Sequence, residues 1–256
     1  MDTLNTRDEP LMERVVANFI ESYRILARLM PQGAIEEADG LTTIATGVPI
    51  AYFNPAFVTR PLVDPIALAD RLRRFYGLAG VPGLLVATDD WTTEHVVSLA
   101  RAAALSPDDP LPAMLLAPIP DAIPLGPPGL EIHMVDDPTR LQIHNDSLGA
   151  SPLRVLFKDS AILREPDMTL YVGILDGEPV AHALRFTSHR IAGIYNVGTL
   201  ARYRRRGLGT ALTWRAAADG RAEGCRASAL QTSPMAFSLY RRMGYRHVRD
   251  YQTWGM

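Results

Sequence analysis

The chain of 256 residues is short of several things, and each shortage removes a class of function. It has one cysteine, Cys225. A single thiol closes no internal disulfide and builds no cysteine-based zinc site. Long apolar runs are missing too: stretches such as Leu111 to Ile123 are short and broken by proline, which excludes a bilayer-spanning helix. Met1 to Pro10 carries Asp2, Asp8 and Glu9 and no apolar core, unlike a secretory signal. A net charge of −2 gives no overall attraction to nucleic acid or an anionic membrane. With 47% hydrophobic and 21% charged residues the composition is that of a folded chain, not a disordered one. The expectation is a soluble, cytoplasmic protein with no nucleic-acid or membrane partner, built as one large domain or two small ones.

Two phosphate-binding patterns are also absent. There is no Gly-x-Gly-x-x-Gly and no Walker lysine followed by Ser or Thr. What stands in their place is the run from Val197 through Thr210: Val-Gly-Thr-Leu-Ala-Arg-Tyr-Arg-Arg-Arg-Gly-Leu-Gly-Thr. It reads as the end of a strand, a basic turn, and a helix opening at the glycines. The first amides of a helix have no partners inside it, and the helix dipole adds partial positive charge. Glycines let those amides approach a ligand closely, and Arg204, Arg205 and Arg206 add full charges, so a diphosphate fits the pattern. Three arginines alone would also suit a solvated surface loop.

Around this run the periodicities predict an ordered series of elements. A helix is expected over Leu11 to Met30, short strands at Leu41 to Ala45 and Ile50 to Phe53, and a helix from Pro65 to Tyr76 capped by Asp64. A strand follows at Gly83 to Ala87, a helix at Thr92 to Ala104 and a strand at Ala113 to Ile119. Pro118 to Gly129, with five prolines and two glycines, is the linker candidate. After it come a strand at Leu130 to Val135 and broken helix over Pro138 to Phe157. A hairpin at Leu170 to Thr187 and a strand at Ile191 to Thr199 lead to the basic turn. Helix Gly207 to Glu223, strand Ala227 to Thr232, helix Pro234 to Met243 with Ser233 as N-cap, and a last strand from Tyr245 complete the chain. The expected fold class is α+β, a mixed and mostly antiparallel sheet flanked by helices.

Arg204-x-x-Gly207-x-Gly209 resembles the Arg/Gln-x-x-Gly-x-Gly/Ala signature of the GNAT superfamily, the GCN5-related N-acetyltransferases. Val197-x-Thr199 resembles that family's fourth strand, which splays from the fifth and pairs with the pantetheine arm of CoA. The likeness runs from Gly193 to Trp254. It implies an acyl-CoA N-acyltransferase fold with acetyl-CoA as co-substrate and no metal. The residues implied to hold the cofactor are Val197, Gly198, Thr199, Arg204, Arg205, Arg206, Gly207, Leu208, Gly209, Thr210 and Ser233. Ser233 stands where many relatives carry an asparagine.

Ala236 to Tyr245 resembles the family's Ala-x-x-x-Tyr-x-x-x-Gly-Phe/Tyr segment, which makes Tyr240 the implied acid for the departing thiolate. A phenol is neutral at pH 7 and still donates a proton. By periodicity alone Tyr240 also reads as an ordinary core residue. The family's usual glutamate base has no counterpart, because Ala181 to Ala201 contains no Asp or Glu. His182 is the candidate catalytic base, with His189, His144 and Asp146 as alternatives; an acceptor amine of low pKa would need no strong base. Cys225 reads as buried filler.

Residues 1–125 lack the Arg-x-x-Gly-x-Gly run. Their element order resembles the degenerate N-terminal lobe of some bacterial two-lobed GNAT proteins, with Asn54, Asp89, Asp90 and Trp91 as candidate pocket residues. The expected division is 1–125, a degenerate GNAT-like lobe, and 126–256, the acetyltransferase domain. The function implied is acetyl transfer from acetyl-CoA to a primary amine of a small molecule, with a homodimer left open. The competing reading is a CoA-binding sensor or pseudo-enzyme.

Overall fold

A computed structural model describes residues 9–62 and 64–256. The expectation for Met1 to Pro10 lies almost wholly outside them. Helix α1 (Glu9–Leu29) leads into strands β1 (Ala34–Ala38), β2 (Leu41–Ala45) and β3 (Pro55–Val58). Helix α2 (Pro65–Ala79), β4 (Leu84–Ala87), α3 (Asp90–Ala102) and β5 (Ser106–Leu116) follow. Then come β6 (Leu130–Met134), α4 (Pro138–Ser147) and two short 3-10 turns at Pro152–Phe157 and Ser160–Arg164. The chain finishes with β7 (Met168–Leu175), β8 (Glu178–Ser188), β9 (Ile191–Thr199), α5 (Leu208–Ala222), β10 (Ala227–Gln231), α6 (Pro234–Arg242) and β11 (Arg246–Gly255).

Local chemistry accounts for most of these boundaries. The hairpin turns Asp39-Gly40, Asp176-Gly177 and His189-Arg190 all have both residues at positive φ, the geometry whose twist matches paired strands. Asp64 caps α2, its Oδ1 accepting from the amides of Ile66 and Ala67 at 3.0 and 3.1 Å. Ile50 to Phe53, expected as strand, is instead a loop ending in a 3-10 turn at Ala51–Phe53. The reason is Asn54, fully buried, whose Nδ2 donates to the carbonyls of Val48, Ile50 and Pro82 while its Oδ1 accepts from the Thr46 amide. An amide so fully bonded inside the chain is a loop anchor, which corrects its reading as a pocket residue.

Contacts sort the chain into two compact units that interleave. One contains residues 9–19 and Ala113–Val248; the other contains Ile20–Pro112 and Arg249–Met256. This differs from a single cut between 125 and 126, and strand pairing supplies the reason. Ala113–Leu116 of β5 pair antiparallel with Gln231–Ser228 of β10, so the first unit takes its neighbour to β10 from before the proline-rich stretch. Gln252–Gly255 of β11 pair antiparallel with Ala87–Leu84 of β4, so the second unit takes its last strand from the C-terminus.

In the second unit the strand order is β1-β2-β3-β4-β11. Its core joins Leu72, Phe75 and Tyr76 of α2 and Val96, Leu99 and Ala100 of α3 to Leu85, Ala87 and Trp254. In the first unit the order is β5-β10-β9-β8-β7-β6, antiparallel except for the β9–β10 pair, which is parallel. Helix α5 packs Leu208, Leu212, Ala216 and Ala217 onto Tyr171, Ala183, Ala192 and Ile194 of this sheet. The opposite face is covered in part by α1, where Met12 and Val15 meet Leu115, Ile191, Ala227 and Ala229. Among the described residues no helix is long and apolar enough to cross a membrane, and no cluster of metal-ligating side chains occurs.

Candidate active site

The sheet of the first unit opens at one place. Strands β9 and β10 pair from Ile191–Ala227 to Gly193–Ala229, and pairing stops there. Strand β9 continues to Thr199 and β10 to Gln231, each past its last shared rung. On its other side β9 stays paired with β8, from Ser188–Ile191 to Ala181–Thr199. The register there slips: two steps along β8, His182 to Leu184, face three along β9, Gly198 to Tyr195. The extra residue is a β-bulge, and Asn196 at φ +49° sits in it. A bulge bends and twists its strand, which is how β9 swings away from β10. The result is a wedge between two parallel strands, along which β9 is unpaired with β10 past Gly193.

Helix α5 begins directly after this strand. Gly207 takes the N-cap position at φ 80° and ψ 3°, a left-handed conformation that strains any residue with a Cβ. With no side chain it makes no cap bond, and the helix ladder starts with the Ala211 amide on the Gly207 carbonyl at 3.0 Å. The amides of Leu208, Gly209 and Thr210 precede that ladder. Gly209 is different from Gly207. A Cβ built there would meet only Val197 Cγ1 at 3.5 Å and Thr199 Oγ1 at 3.7 Å, ordinary contacts that the protein itself tolerates. Glycine at 209 therefore keeps open a space beside the wedge that folding does not need.

The arginines surround this helix start. Arg204, Arg205 and Arg206 are exposed, and among the described residues none of them is in an ion pair. Arg204 is held by its Nε on the Thr199 carbonyl at 3.2 Å, which leans it back along the strand end. Arg205 is itself at positive φ, 63°. Arg206 lies over the Tyr203 ring at 5.1 Å, and so does Arg202. Arg202 is already neutralised by Glu178 at 2.6 Å, and that carboxylate also accepts from the Tyr203 hydroxyl. These two bonds hold Glu178 below the usual carboxylate range, the tyrosine bond contributing most. The charge left over sits at 204–206, next to the open amides. The donors, the vacated glycine and the surplus charge fit a diphosphate.

Tyr240 lies on the inner face of α6, 7% exposed, among Met114, Leu116, Trp214, Leu230, Met243 and Tyr245. Its ring meets Tyr245 edge-on at 5.8 Å. Tyr245 is buried with its hydroxyl on Ser228 Oγ at 2.7 Å, and burial pushes its ionisation far above the ordinary phenol value. Ser233 occupies the N-cap position of α6 as expected, but its side chain makes no cap bond and is exposed. The proline at the first helical position removes one amide that a cap would serve.

His182, on β8, is buried against the wedge strand. Its Nδ1 lies 3.2 Å from Ser147 Oγ and 3.3 Å from the Ser147 carbonyl, and a Cβ at Gly198 would overlap its Nε2. Burial pushes His182 down to about 4, partly offset by the Ser147 carbonyl. His144 on α4 stands 5.8 Å away, ring to ring, and is pushed down to about 3 by burial and by the His182 charge. Both imidazoles are neutral at pH 7. His189 is in the β8–β9 turn at φ 52°, and Asp146 is on the exposed side of α4. Asp89 serves α3 as its N-cap, and Trp91 is exposed with its ring tilted against His95; the side chain of Asp90 lies outside the described residues. Cys225 is buried, as expected of filler.

Three residues that the sequence did not single out lie on or beside the wedge strands. Asn18 of α1 is wholly buried; its Nδ2 donates to Ser188 Oγ at 3.0 Å and to the carbonyls of Phe186 and Ile191, and its Oδ1 accepts from the Tyr195 hydroxyl at 2.7 Å. Asn196 on β9 and Gln231 on β10 carry side-chain amides with buried, unpartnered atoms. The available signal was polarity inside otherwise apolar strands, which turns and edges produce just as often.

Residues 133–245 match the model of the Acetyltransferase (GNAT) family. No curated protein matches the sequence. Among solved structures, a GCN5-related N-acetyltransferase from Kribbella flavida superposes with a TM-score of 0.66 at 21% identity, over 94% of this chain and 95% of its own. A GCN5-related N-acetyltransferase from Sphaerobacter thermophilus gives 0.59 at 14% identity, over 86% and 81%. A tandem GNAT protein from the clavulanic acid biosynthesis pathway gives 0.59 at 16%, over 89% and 84%. The fold is the acyl-CoA N-acyltransferase fold, and the segment 133–245 that holds the wedge and the glycine helix start is a domain of the GNAT acetyltransferase family.

Proposed function

We propose that this chain is an N-acetyltransferase that moves the acetyl group of acetyl-CoA to a primary amine of a small acceptor. The observation that carries this reading is the open helix start at Gly207 beside a strand that has parted from its neighbour. The amides of Leu208, Gly209 and Thr210 with Arg204, Arg205 and Arg206 would hold the diphosphate. The edge of β9 from Val197 to Thr199 would hold the pantetheine arm. A thioester supplies an activated carbonyl with a good leaving group, and the remaining chemistry belongs to the protein.

The acceptor nitrogen, neutral and with its lone pair free, forms the new C–N bond at that carbonyl. Backbone amides of β9 polarise the oxygen as negative charge grows on it. As the C–S bond breaks, the Tyr240 hydroxyl gives its proton to the departing sulfur, so the products are the amide and the CoA thiol. The proton released by the amine returns to solvent or to the phenolate, which closes the balance. His182 suits a positioning role better than a basic one. Pushed to about 4, it is a weak acceptor of an ammonium proton, while its ring fixes β9 at Gly198. The second unit we read as a degenerate lobe of the same kind, without a phosphate cradle.

Thiol release from acetyl-CoA, followed with a panel of primary amines, tests the proposal. Turnover with at least one amine is expected, and Tyr240→Phe should lower kcat by about a hundredfold with the affinity for CoA unchanged. The absence of carboxylates from Ala181 to Ala201 favours one rival, a CoA sensor without turnover. Tight CoA binding with no thiol release for any amine would establish that rival.

A further inference from the structure

Past the Gly193–Ala229 rung, each wall of the wedge carries one side-chain amide shut away from solvent. On β9, Nδ2 of Asn196 is buried with no partner; on β10, the same is true of both Nε2 and Oε1 of Gln231. An unpartnered amide is costly to bury, and natural interiors pair such groups almost without exception. Here the two lie on the two strands that have just diverged, where the backbone too has given up its pairing.

The wedge has two faces; Asn196 sits in the bulge between Tyr195 and Val197, and Gln231 can be assigned to one face. Val197 and Thr199 stand beside Gly209, on the face of the phosphate cradle. Gln231 follows Ala229 by two residues and shares its face, and Ala229 packs against Met12 and Val15 of α1. Tyr195 reaches the same helix through its bond to Asn18. Gln231 thus faces the side away from the cradle, the side on which α1 packs.

The chemistry of these groups selects a partner. Gln231 both donates and accepts, and Asn196 Nδ2 donates. A carboxylate would use the donors and leave Gln231 Oε1 unserved, and an alkylammonium would meet no carboxylate from Ala181 to Ala201. A carboxamide or peptide group offers a carbonyl for the donors and an N–H for the acceptor. We propose that Gln231 and Asn196 bind the amide group of an α-amino amide, an amino-acid amide or a peptide N-terminus, and so present its α-amine to the acyl carbonyl.

This inference rests on the acyl-transfer reading, and the missing base agrees with it. An α-amine beside a carbonyl titrates at about 7.7–8.0, against about 10.4 for an alkylamine. About a tenth of it is therefore neutral near pH 7, a few hundredfold more than of an alkylamine, without help from a strong base, and His182 at about 4 offers none.

Leucinamide and leucine methyl ester test it, because they match in shape and amine basicity while the ester lacks the N–H. On the full chain with acetyl-CoA, kcat/KM for leucinamide should exceed that for the ester by at least about tenfold, since a site built to bond a group rejects an analogue without it. Gln231→Leu should bring the two within about twofold to threefold of each other, with CoA affinity by calorimetry unchanged. Asn196→Gly keeps the positive φ and removes the second amide; it should lower kcat/KM for both substrates and stands in if Gln231→Leu folds poorly. Leu-Gly-Gly run beside leucinamide shows which source of the amide is preferred. Equal kcat/KM for amide and ester in the wild type overturns this inference and leaves acyl transfer standing. If no amine releases thiol, the acyl-transfer reading fails. Calorimetric binding of leucinamide and ester to the CoA-loaded chain then decides the amide site by the same tenfold difference, which equal affinities would refute.

Discussion

Two strand-to-helix junctions in this chain solve one problem in opposite ways. At the β4–α3 junction Asp89 caps the helix: its carboxylate accepts from the Thr92 amide at 2.7 Å while Thr92 Oγ1 takes the Asp89 amide at 3.0 Å. That capping box satisfies the Asp89 and Thr92 amides and puts negative charge where an anion would have to bind. At the β9–α5 junction the cap is Gly207, with no side chain to offer, and the nearest charges are positive. A closed helix start stabilises its own unit, and an open one is left for a ligand. The two junctions thus differ in what they offer an anion, through the residue at the cap and the charges beside it. Glycine stands at one and aspartate at the other.

Acid sharpens the contrast most. The first unit buries two neutral imidazoles, His144 and His182, and burial is the main reason they titrate at about 3 and about 4. Unfolding returns both to about 6.5, so below that pH the unfolded chain binds more protons than the folded one. The stability that depends on them is complete above about pH 6.5 and is lost as pH falls toward their folded values. Each imidazole should contribute a slope of about 1.4 kcal/mol per pH unit between about pH 6 and pH 4.5. Denaturant titrations across that range should show His144→Leu halving the slope; an unchanged slope would mean that the imidazoles are not buried as described.

The closed junction gives the smaller effect. Asp89→Ala should cost about 1 kcal/mol of stability, the usual worth of an N-cap side chain, and should create no CoA binding, because no arginine cluster accompanies it. CoA affinity gained by this variant would break the comparison.

What the sequence made legible follows the same division between local and distant causes. The Gly207-x-Gly209 helix start, the Asp64 cap and the Asp176-Gly177 turn are set by neighbouring residues, and each could be read directly. The interleaving of the units could not. It depends on Ala113–Leu116 meeting Ser228–Gln231 and on Leu84–Ala87 meeting Gln252–Gly255, pairings that no local pattern announces. Strand β5 was expected to begin at Ala113 and begins at Ser106, because prolines and aspartates at 107–110 read as turn while the chain stays extended. Asn18 was invisible for the same reason: its partners on β8 and β9 lie more than 160 residues away. His182 was found as a titratable group on a strand, but its burial and its contact with Gly198 came only with the fold.

The central claim is that glycine at 209 holds space for a ligand and not for the fold. Calorimetry of CoA against wild type and Gly209→Val tests it most directly. A Cβ there meets only ordinary contacts, and the variant should melt close to wild type while its CoA affinity falls by more than about tenfold, the diphosphate having lost its approach to the helix amides. A folded Gly209→Val that binds CoA as tightly as wild type would contradict the account.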